Sequence, residues 1–284
     1  MSDHEPPSGT FTTRRGRDNC PAPSLISLVL AIALTLTSDA LPVQAVGQNG
    51  AGYSAVHPDS APLTRAVVIA RIAAATDDHP ADFSGANLSS LDLSGQDLHR
   101  ANFSGANLDG VNLSHAKLQA ANFDHASAKG ADFTGAELDL ATMRDADFTG
   151  AKLAGATLFA VIIPGVNFTD ADLTGVRLIT SAAGARFIRA KMMHANLGAD
   201  PNNQPMGVMR ADLTNADLTG ADLTDANLRK VKLTRANFTD ATLTGADLSL
   251  AELSGTVFHN IKGRQAIKGL STAKYVEDAQ FDPQ

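Results

Sequence analysis

Four of the six methionines fall in one short stretch, Met192, Met193, Met206 and Met209, with His194 beside the first pair. Soft thioether sulfurs with an imidazole form a donor set suited to Cu(I), and no sharper chemical cluster stands in the sequence. Methionine also fills irregular gaps in a core. Met192 falls on the third, apolar position of a five-residue repeat, which sets packing ahead of copper. Catalytic groups do not converge either. His115 and His125 are ten residues apart, and the Ser, Thr and Asp that could act as nucleophile or acid recur with the repeat, as Asp145 and Asp147 do. No acid, base and nucleophile share a spacing that would bring them together. The expectation is no catalytic residue, no cofactor-binding residue and no metal ligand: a protein that is not an enzyme and holds no cofactor.

The repeat is what positions every one of these residues. From Ala81 to Leu178 the chain reads in fives (ADFSG ANLSS LDLSG QDLHR ANFSG), with Leu or Phe at the third position and Ala or Val at the first. The series Phe83, Leu88, Leu93, Leu98, Phe103 continues through twenty pentads to Leu178. Three more (Ala185–Phe187, Ala190–Met192, Ala195–Leu197) are displaced by one residue, and eleven follow from Met206–Val208 to Thr256–Phe258. A fixed short period marks a solenoid, whose repeats cannot bury their apolar faces alone. Five matches neither the helical 3.6 nor the strand period of 2; a short extended segment followed by a turn fits, with Gly at position 5 as the turn residue.

Phe83, Phe103 and Phe123 are twenty apart, as are Phe148 and Phe168, and Phe238 and Phe258. Four pentads per coil would stack these rings in columns, with position-1 Ala filling between them. The pattern resembles the pentapeptide-repeat family, A(D/N)LXX in consensus, over about two thirds of the chain. That resemblance implies an all-β, right-handed quadrilateral parallel β-helix; the hand comes from the resemblance alone. About 8.5 coils at roughly 4.8 Å each would make a rod on the order of 40 Å long.

The chain of 284 residues has no Trp, two Tyr and a formal net charge of −7, a balance that argues against direct nucleic-acid binding. The resemblance also raises a DNA-mimicking topoisomerase (gyrase) binder, since some relatives imitate duplex DNA in the cytoplasm. From Ala81 to Phe258 there are 20 acidic and 14 basic residues, a dilute and interleaved charge beside a duplex with one charge per ~1.7 Å.

The termini have their own signals. Arg14, Arg15 and Arg17 precede the apolar run Leu25–Thr37 and the small-residue site Val43-Gln44-Ala45, the order of a secretory signal cleaved near Ala45. The run is shorter than the ~20 residues of a membrane span, so no stable membrane anchor is expected. Thr13-Arg14-Arg15 lacks the apolar residues that would follow a twin-arginine signal. Cys20, the single cysteine, lies ahead of the apolar run and would be removed with it. Residues 46–62 read as a linker and 63–80 as an N-terminal capping helix, with Leu63, Val67, Ala70 and Ala74 on one face and Ile69 and Ile72 beside it. The repeat occupies 81–258 with a register break and loop at 179–207, where Gly198–Pro205 is turn-rich, and 259–284 form a C-terminal cap with degenerate pentads at Ala273–Tyr275 and Ala279–Phe281. The expected function is a non-catalytic, exported bacterial scaffold in the periplasm or outside: a protein-binding or structural rod, with an unknown protein partner and a homodimer through a solenoid end. The topoisomerase binder is the alternative, and a metal-binding periplasmic protein the second alternative.

Overall fold

The computed structural model describes residues 61–199 and 210–283. All lie in the compact unit Gly52–Gln284; the other unit, Met1–Ala51, is outside the described residues, and with it the signal segment, Cys20 and most of the linker.

Each pentad is built the same way. Positions 1 and 3 point inward and are buried, as for Ala101 and Phe103 or Ala106 and Leu108. Asp or Asn at position 2 accepts the backbone N–H of position 4 through its side-chain oxygen: Asn102 from Ser104 at 3.1 Å, Asp172 from Thr174 at 3.0 Å. This short side-chain bond starts the turn. The turn closes when the next position 1 donates to position 3, as Ala86 N does to Phe83 O at 3.0 Å. Its third residue is left-handed, φ +62° at Gly85.

Parallel bridges join residues twenty apart: Asp82 to Asn102, Asn87 to Asn107, Asp92 to Asn112 and Asp97 to Lys117. Four successive pentads therefore lie on four faces, here numbered first to fourth, and the fifth returns to the first. Between coils the donors are Phe83 N to Asn102 O (2.7 Å), Gly85 N to Ser104 O (2.8 Å) and Asn102 N to Ala81 O (2.9 Å), repeated along the rod. Most of these pairs are single bridges. Continuous strand is confined to β1 (Thr157–Ile162), β2 (Arg177–Ser181), β3 (Val257–Phe258) and β4 (Gln280–Phe281), paired β1 with β2 and β3 with β4. Inside, Phe83, Phe103 and Phe123 stack on the first face at 5.4 and 5.0 Å between ring centroids. The second face carries Phe148, Phe168 and Phe187, and further on Phe238, Phe258 and Phe281.

The register break differs from its sequence reading. The first slip is a pentad shortened by one residue: β2 runs through the corner at Ile179 and Thr180, opposite Phe159–Ile162 of β1 with a bulge between them, and Ala182 takes the inward position. Bridges across it join residues nineteen apart, such as Ile162 with Ser181 and Asn167 with Arg186. The second slip is an insertion. Asn196 on the fourth face is followed on the first by Asp212, and bridges across that coil join residues thirty-one apart, from Ser181–Asp212 to Asn196–Asn227. Among the described residues the second run begins at Ala211–Leu213, and the pentad expected at Met206–Val208 lies outside them.

The C-terminal coil is also a correction. Ile261-Lys262, Ile267-Lys268, Ala273-Lys274 and Ala279-Gln280 recur every six residues, and the bridge offset grows from Thr242–Lys262 through Asp247–Lys268 and Glu252–Lys274 to Val257–Gln280. Each corner gains one residue, taken up by a single 3₁₀ turn at Arg264–Ala266, Leu270–Thr272 and Val276–Asp278. The two triplets expected as degenerate pentads are the last two of these hexads.

At the other end stands α1 (Arg65–Ala74), capped by Thr64, whose hydroxyl accepts from Val67 N. Val68 is buried and Leu63, Ile72 and Ala75 pack against the core, whereas Val67 is 42% exposed. The buried stripe is thus Val68–Ile72–Ala75, one step round from the Ala-rich face expected, because the larger side chains remove more apolar surface from water. Leu63 N donates to Asn87 O, Arg65 Nε to Asp92 O and Arg71 Nη1 to Asp82 O, so α1 is bonded to the first coil.

Candidate functional site

The chemistry-bearing residues are held apart by the four-sided geometry. His115 turns from the third face and His125 from the first, on opposite sides of the rod. Asp145 is a corner residue and Asp147 a position-2 residue whose Oδ1 accepts from Thr149. Met192 is fully buried; Met193 and His194 lie at the turn between the third and fourth faces, and Met206 and Met209 are outside the described residues. Among the described residues no group of three or more His, Cys, Asp or Glu is arranged to hold a metal, and no helix is long and apolar enough to cross a membrane. Of the turn-rich Gly198–Pro205 segment only Gly198 and Ala199 are described.

One histidine does have a built environment. His99 Nδ1 is 3.0 Å from Asp97 Oδ1, and its Nε2 is 2.9 Å from Asp77 Oδ1, just beyond α1. Carboxylates only accept, so it is the protonated ring, donating from both nitrogens, that satisfies both contacts. The hydrogen bonds that its ring donates to Asp77 and then to Asp97 hold its pKa above the ordinary value. Arg100 Nη1 donates to Asp77 O at 2.7 Å. This cluster ties α1 to the rod and presents no reacting group.

The edges of the rod single out a different place. Each edge is a column of left-handed position-5 residues. Three edges are rich in glycine, for example Gly85 and Gly105, Gly130 and Gly150, and Gly155 and Gly175. The edge from the fourth face to the first has no left-handed glycine in its pentads. It carries Arg100, Ala120, Leu140, Ala160, Lys230 and Leu250, with φ of +59°, +57°, +65°, +54°, +61° and +60°. A residue with a Cβ costs roughly 1–2 kcal/mol in that conformation. Asp, Asn or His offsets part of that through local hydrogen bonds; Ala and Leu offset none.

Nor do these side chains recover the cost by burial. Leu140 is 58% exposed, Leu250 38% and the adjacent Ile162 41%, while Phe159 is half-buried. Ala120, Leu140 and Ala160 follow one another at consecutive coils, small, large, small. Phe159 is held in place from two sides: its N–H donates to Asp139 Oδ1 at 2.9 Å, and the Arg177 guanidinium lies 4.5 Å from its ring centre.

Both register irregularities fall on this same edge. The shortened pentad removes the left-handed residue at Ile179–Thr180 and buries Ile179, and the extra residues of the second slip fall one coil later, between Gly198 and Arg210. A cavity of ≈ 350 Å³ lies there, lined by Ala160, Ile179, Thr180, Ser181, Arg210, Asp212 and Lys232. Its charges are matched within the rod. Arg210 bonds Glu252 Oε1 at 3.0 Å and Lys230 O at 2.9 Å, and Lys232 Nζ is 3.2 Å from Asp212 Oδ2. Burial works to raise the Asp212 carboxyl, but hydrogen bonds from Thr214, with Lys232 beside it, outweigh burial and leave it below the usual range. Reading in fives, position by position, shows Ala and Leu standing where Gly stands elsewhere. Only the four-fold wrap shows that they share one edge.

Fold and edges together define a four-sided solenoid of tandem pentads whose surface carries no assembled catalytic constellation among the described residues. Pentapeptide repeats, in eight copies, match residues 81–114, 106–145, 116–155, 209–245 and 221–260, and the repeat rod is a member of the pentapeptide-repeat family. HetL, a pentapeptide repeat protein involved in heterocyst differentiation regulation from the cyanobacterium Nostoc sp. strain PCC 7120, is similar at 27% identity over 77% of this chain and 94% of that one, with a TM-score of 0.28. QnrB1, a plasmid-mediated fluoroquinolone resistance protein, is 22% identical over 65% and 86% of the two chains, with a TM-score of 0.33. Rfr23 from the cyanobacterium Cyanothece 51142 is 26% identical over 48% and 64%, with a TM-score of 0.16. Overlays at these TM-scores carry no argument about function. No curated protein sequence matches the chain.

Proposed function

We propose that this protein is a non-catalytic, right-handed four-sided scaffold that binds a protein partner along the edge between its fourth and first faces. The observation that carries the reading is the run Ala120, Leu140, Ala160: left-handed residues with a Cβ, the first two exposed and the third half-buried, at a conformational cost that burial does not recover at Leu140. Backbone strain without structural return points to a functional surface. Photo-crosslinking along the four edges tests it. A residue at position 140 should capture protein, and equal capture from all four edges would remove the assignment.

The order of Arg14, Arg15, Arg17, the apolar Leu25–Thr37 run and Ala45 supports export to the periplasm or beyond. Cell fractionation with N-terminal sequencing should find a mature chain beginning near Val46; full-length cytoplasmic protein would reverse this. α1 serves as the N-terminal cap, since its buried stripe covers the first coil. The opposite end supports a homodimer: Ile267, Ala273 and Phe281 of the last coil are only partly buried. The duplex-mimic reading finds less support. Along the third face Asp132, Lys152, Asp172, Lys191 and Asp222 alternate in sign at successive coils, so no continuous acidic column forms.

A further inference from the structure

The strip on the fourth-to-first edge has a period, a relief and a charge setting, and together they describe what would lie on it. Its apolar groups are Ala120, Leu140, Phe159 with Ala160, and Ile162, and Ile179 closes its lower end. From Ala120 to Ile179 is three coil steps, on the order of 15 Å at roughly 4.8 Å each. Same-face residues recur about every 5.4 Å along an α-helix and about every 6.8 Å along a strand. Over three steps a helix drifts from the strip by about 2 Å and a strand by about 6 Å. The strip is also one side chain wide, with Leu140 standing between two alanines. That relief suits ridges on a helix better than a flat sheet.

The charge around it is predominantly negative. Residues 81–179 hold 12 acidic and 6 basic side chains, and the coil that ends in Leu140 holds Asp124, Asp132, Glu137 and Asp139 against Lys129 alone. Nearby cations are engaged: Lys117 with Asp97 at 3.8 Å, Arg144 with Asp124 at 2.7 Å, and Arg177 over Phe159. Glu137 and Asp139, directly beside Leu140, are in no ion pair among the described residues; Gln119 donates to Glu137, and Asp139 accepts from Phe159 N.

We propose that this strip receives a basic amphipathic helix of a partner protein, at least three turns long, lying along the rod axis. Its apolar stripe at i, i+3, i+4 and i+7 packs on Leu140, Phe159 and Ile162, and Lys or Arg beside the stripe face Glu137 and Asp139. The proposal rests on the protein-binding reading of the edge and adds the chemistry of what is bound.

Two measurements on the full chain test it. In the first, fluorescence anisotropy compares a synthetic Leu/Lys amphipathic helix of fourteen residues with its Leu/Glu counterpart, about 21 Å long at ~1.5 Å per residue. The Leu/Lys peptide should bind at least about ten-fold more tightly, a difference of ~1.4 kcal/mol. Leu140→Gly should weaken it by about ten-fold while raising the melting temperature, because glycine is at ease in the left-handed conformation. Equal binding of both peptides, or binding unchanged in Leu140→Gly, overturns the proposal; a lowered melting temperature would make Leu140 a structural residue and overturn it too. In the second, a photo-crosslinker at position 140 is compared in cells with one at position 115 on another edge, and the captured peptide is mapped. A basic amphipathic segment supports the proposal. A second copy of this chain, its own residues 1–60, or an acidic or extended segment overturns the helix but leaves the edge as a binding site. No capture at 140 overturns both.

Discussion

The carboxylate of Asp145 occupies the place where Gly165, one coil further on, would carry a Cβ. Both residues are left-handed, at φ +53° and +71°. Asp225 stands over Gly245 in the same way. A side chain at a corner leans along the rod axis onto the next coil, so glycine is wanted at Gly165 twice, once for its φ and once for the room it leaves.

Gly165→Ala should therefore cost about 2–3 kcal/mol, of which roughly 1–2 is the left-handed backbone and the rest the overlap with Asp145. In an Asp145→Gly background the overlap is gone and the loss should shrink by about 1 kcal/mol. Urea denaturation of the four proteins in this cycle measures the coupling. Strictly additive losses would show that the two corners do not touch.

Phe103 lies in a column one ring wide, with centroids of Phe83 and Phe123 at 5.4 and 5.0 Å. Phe103→Ala should cost roughly 3–5 kcal/mol, since the rings above and below cannot close the gap without moving their coils. Ser104→Asp, next in sequence but pointing outward, should stay within about 0.5 kcal/mol. Thermal melts of the two variants side by side decide it, and a small loss for Phe103→Ala would mean a core looser than this column.

Cysteines replacing Ser104 and Asp124 should crosslink, because Gly105 N donates to Asp124 O at 2.8 Å across that corner and the two positions lie one above the other, roughly 5 Å apart. Cysteines replacing Ser104 and Gln119 belong to different faces and should not. Oxidation followed by non-reducing electrophoresis or mass spectrometry reads the result, and the reverse outcome would mean three sides.

The His99 clamp makes the seating of α1 depend on pH. Its pKa in the folded protein is raised above the ordinary 6.5 by Asp77 and Asp97, so its contribution is complete below about pH 6.5 and is lost as pH rises through the raised value. Asp97, lowered by its hydrogen bond from His99, adds a contribution lost only as pH falls into the carboxylate range. Hydrogen exchange of residues 65–80 should quicken between pH 6 and 9 relative to the rod, after correction for the intrinsic rate. His99→Gln should abolish that dependence; a dependence that survives the change would place the titrating group elsewhere.

The sequence alone determined the repeat, its inward positions and the four pentads per coil. A five-residue period with an apolar third position admits few ways to bury its side chains, and Phe at twenty-residue intervals selects four faces, as Phe83 and Phe103 show by stacking. Where the period failed, the sequence no longer specified the path. An eleven-residue insertion and two pentads with one residue over have the same length, and the bridge from Ser181 to Asp212 shows where the pentads stand again on the first face. The hexads from Ile261 escaped a reading in fives because their turn geometry changes with their length. The buried face of α1 was decided by contact with the first coil, which counts apolar area rather than spacing. The candidate site was legible only in its spacing: four pentads per coil put Ala120, Leu140 and Ala160 on one edge, but their left-handed φ and the bulge at Phe159–Ile162 beside them belong to the tertiary structure. Strain at one edge is a property of the wrapped rod, because position 5 is left-handed on every edge and the alignment of coils shows which edge forgoes glycine in its pentads.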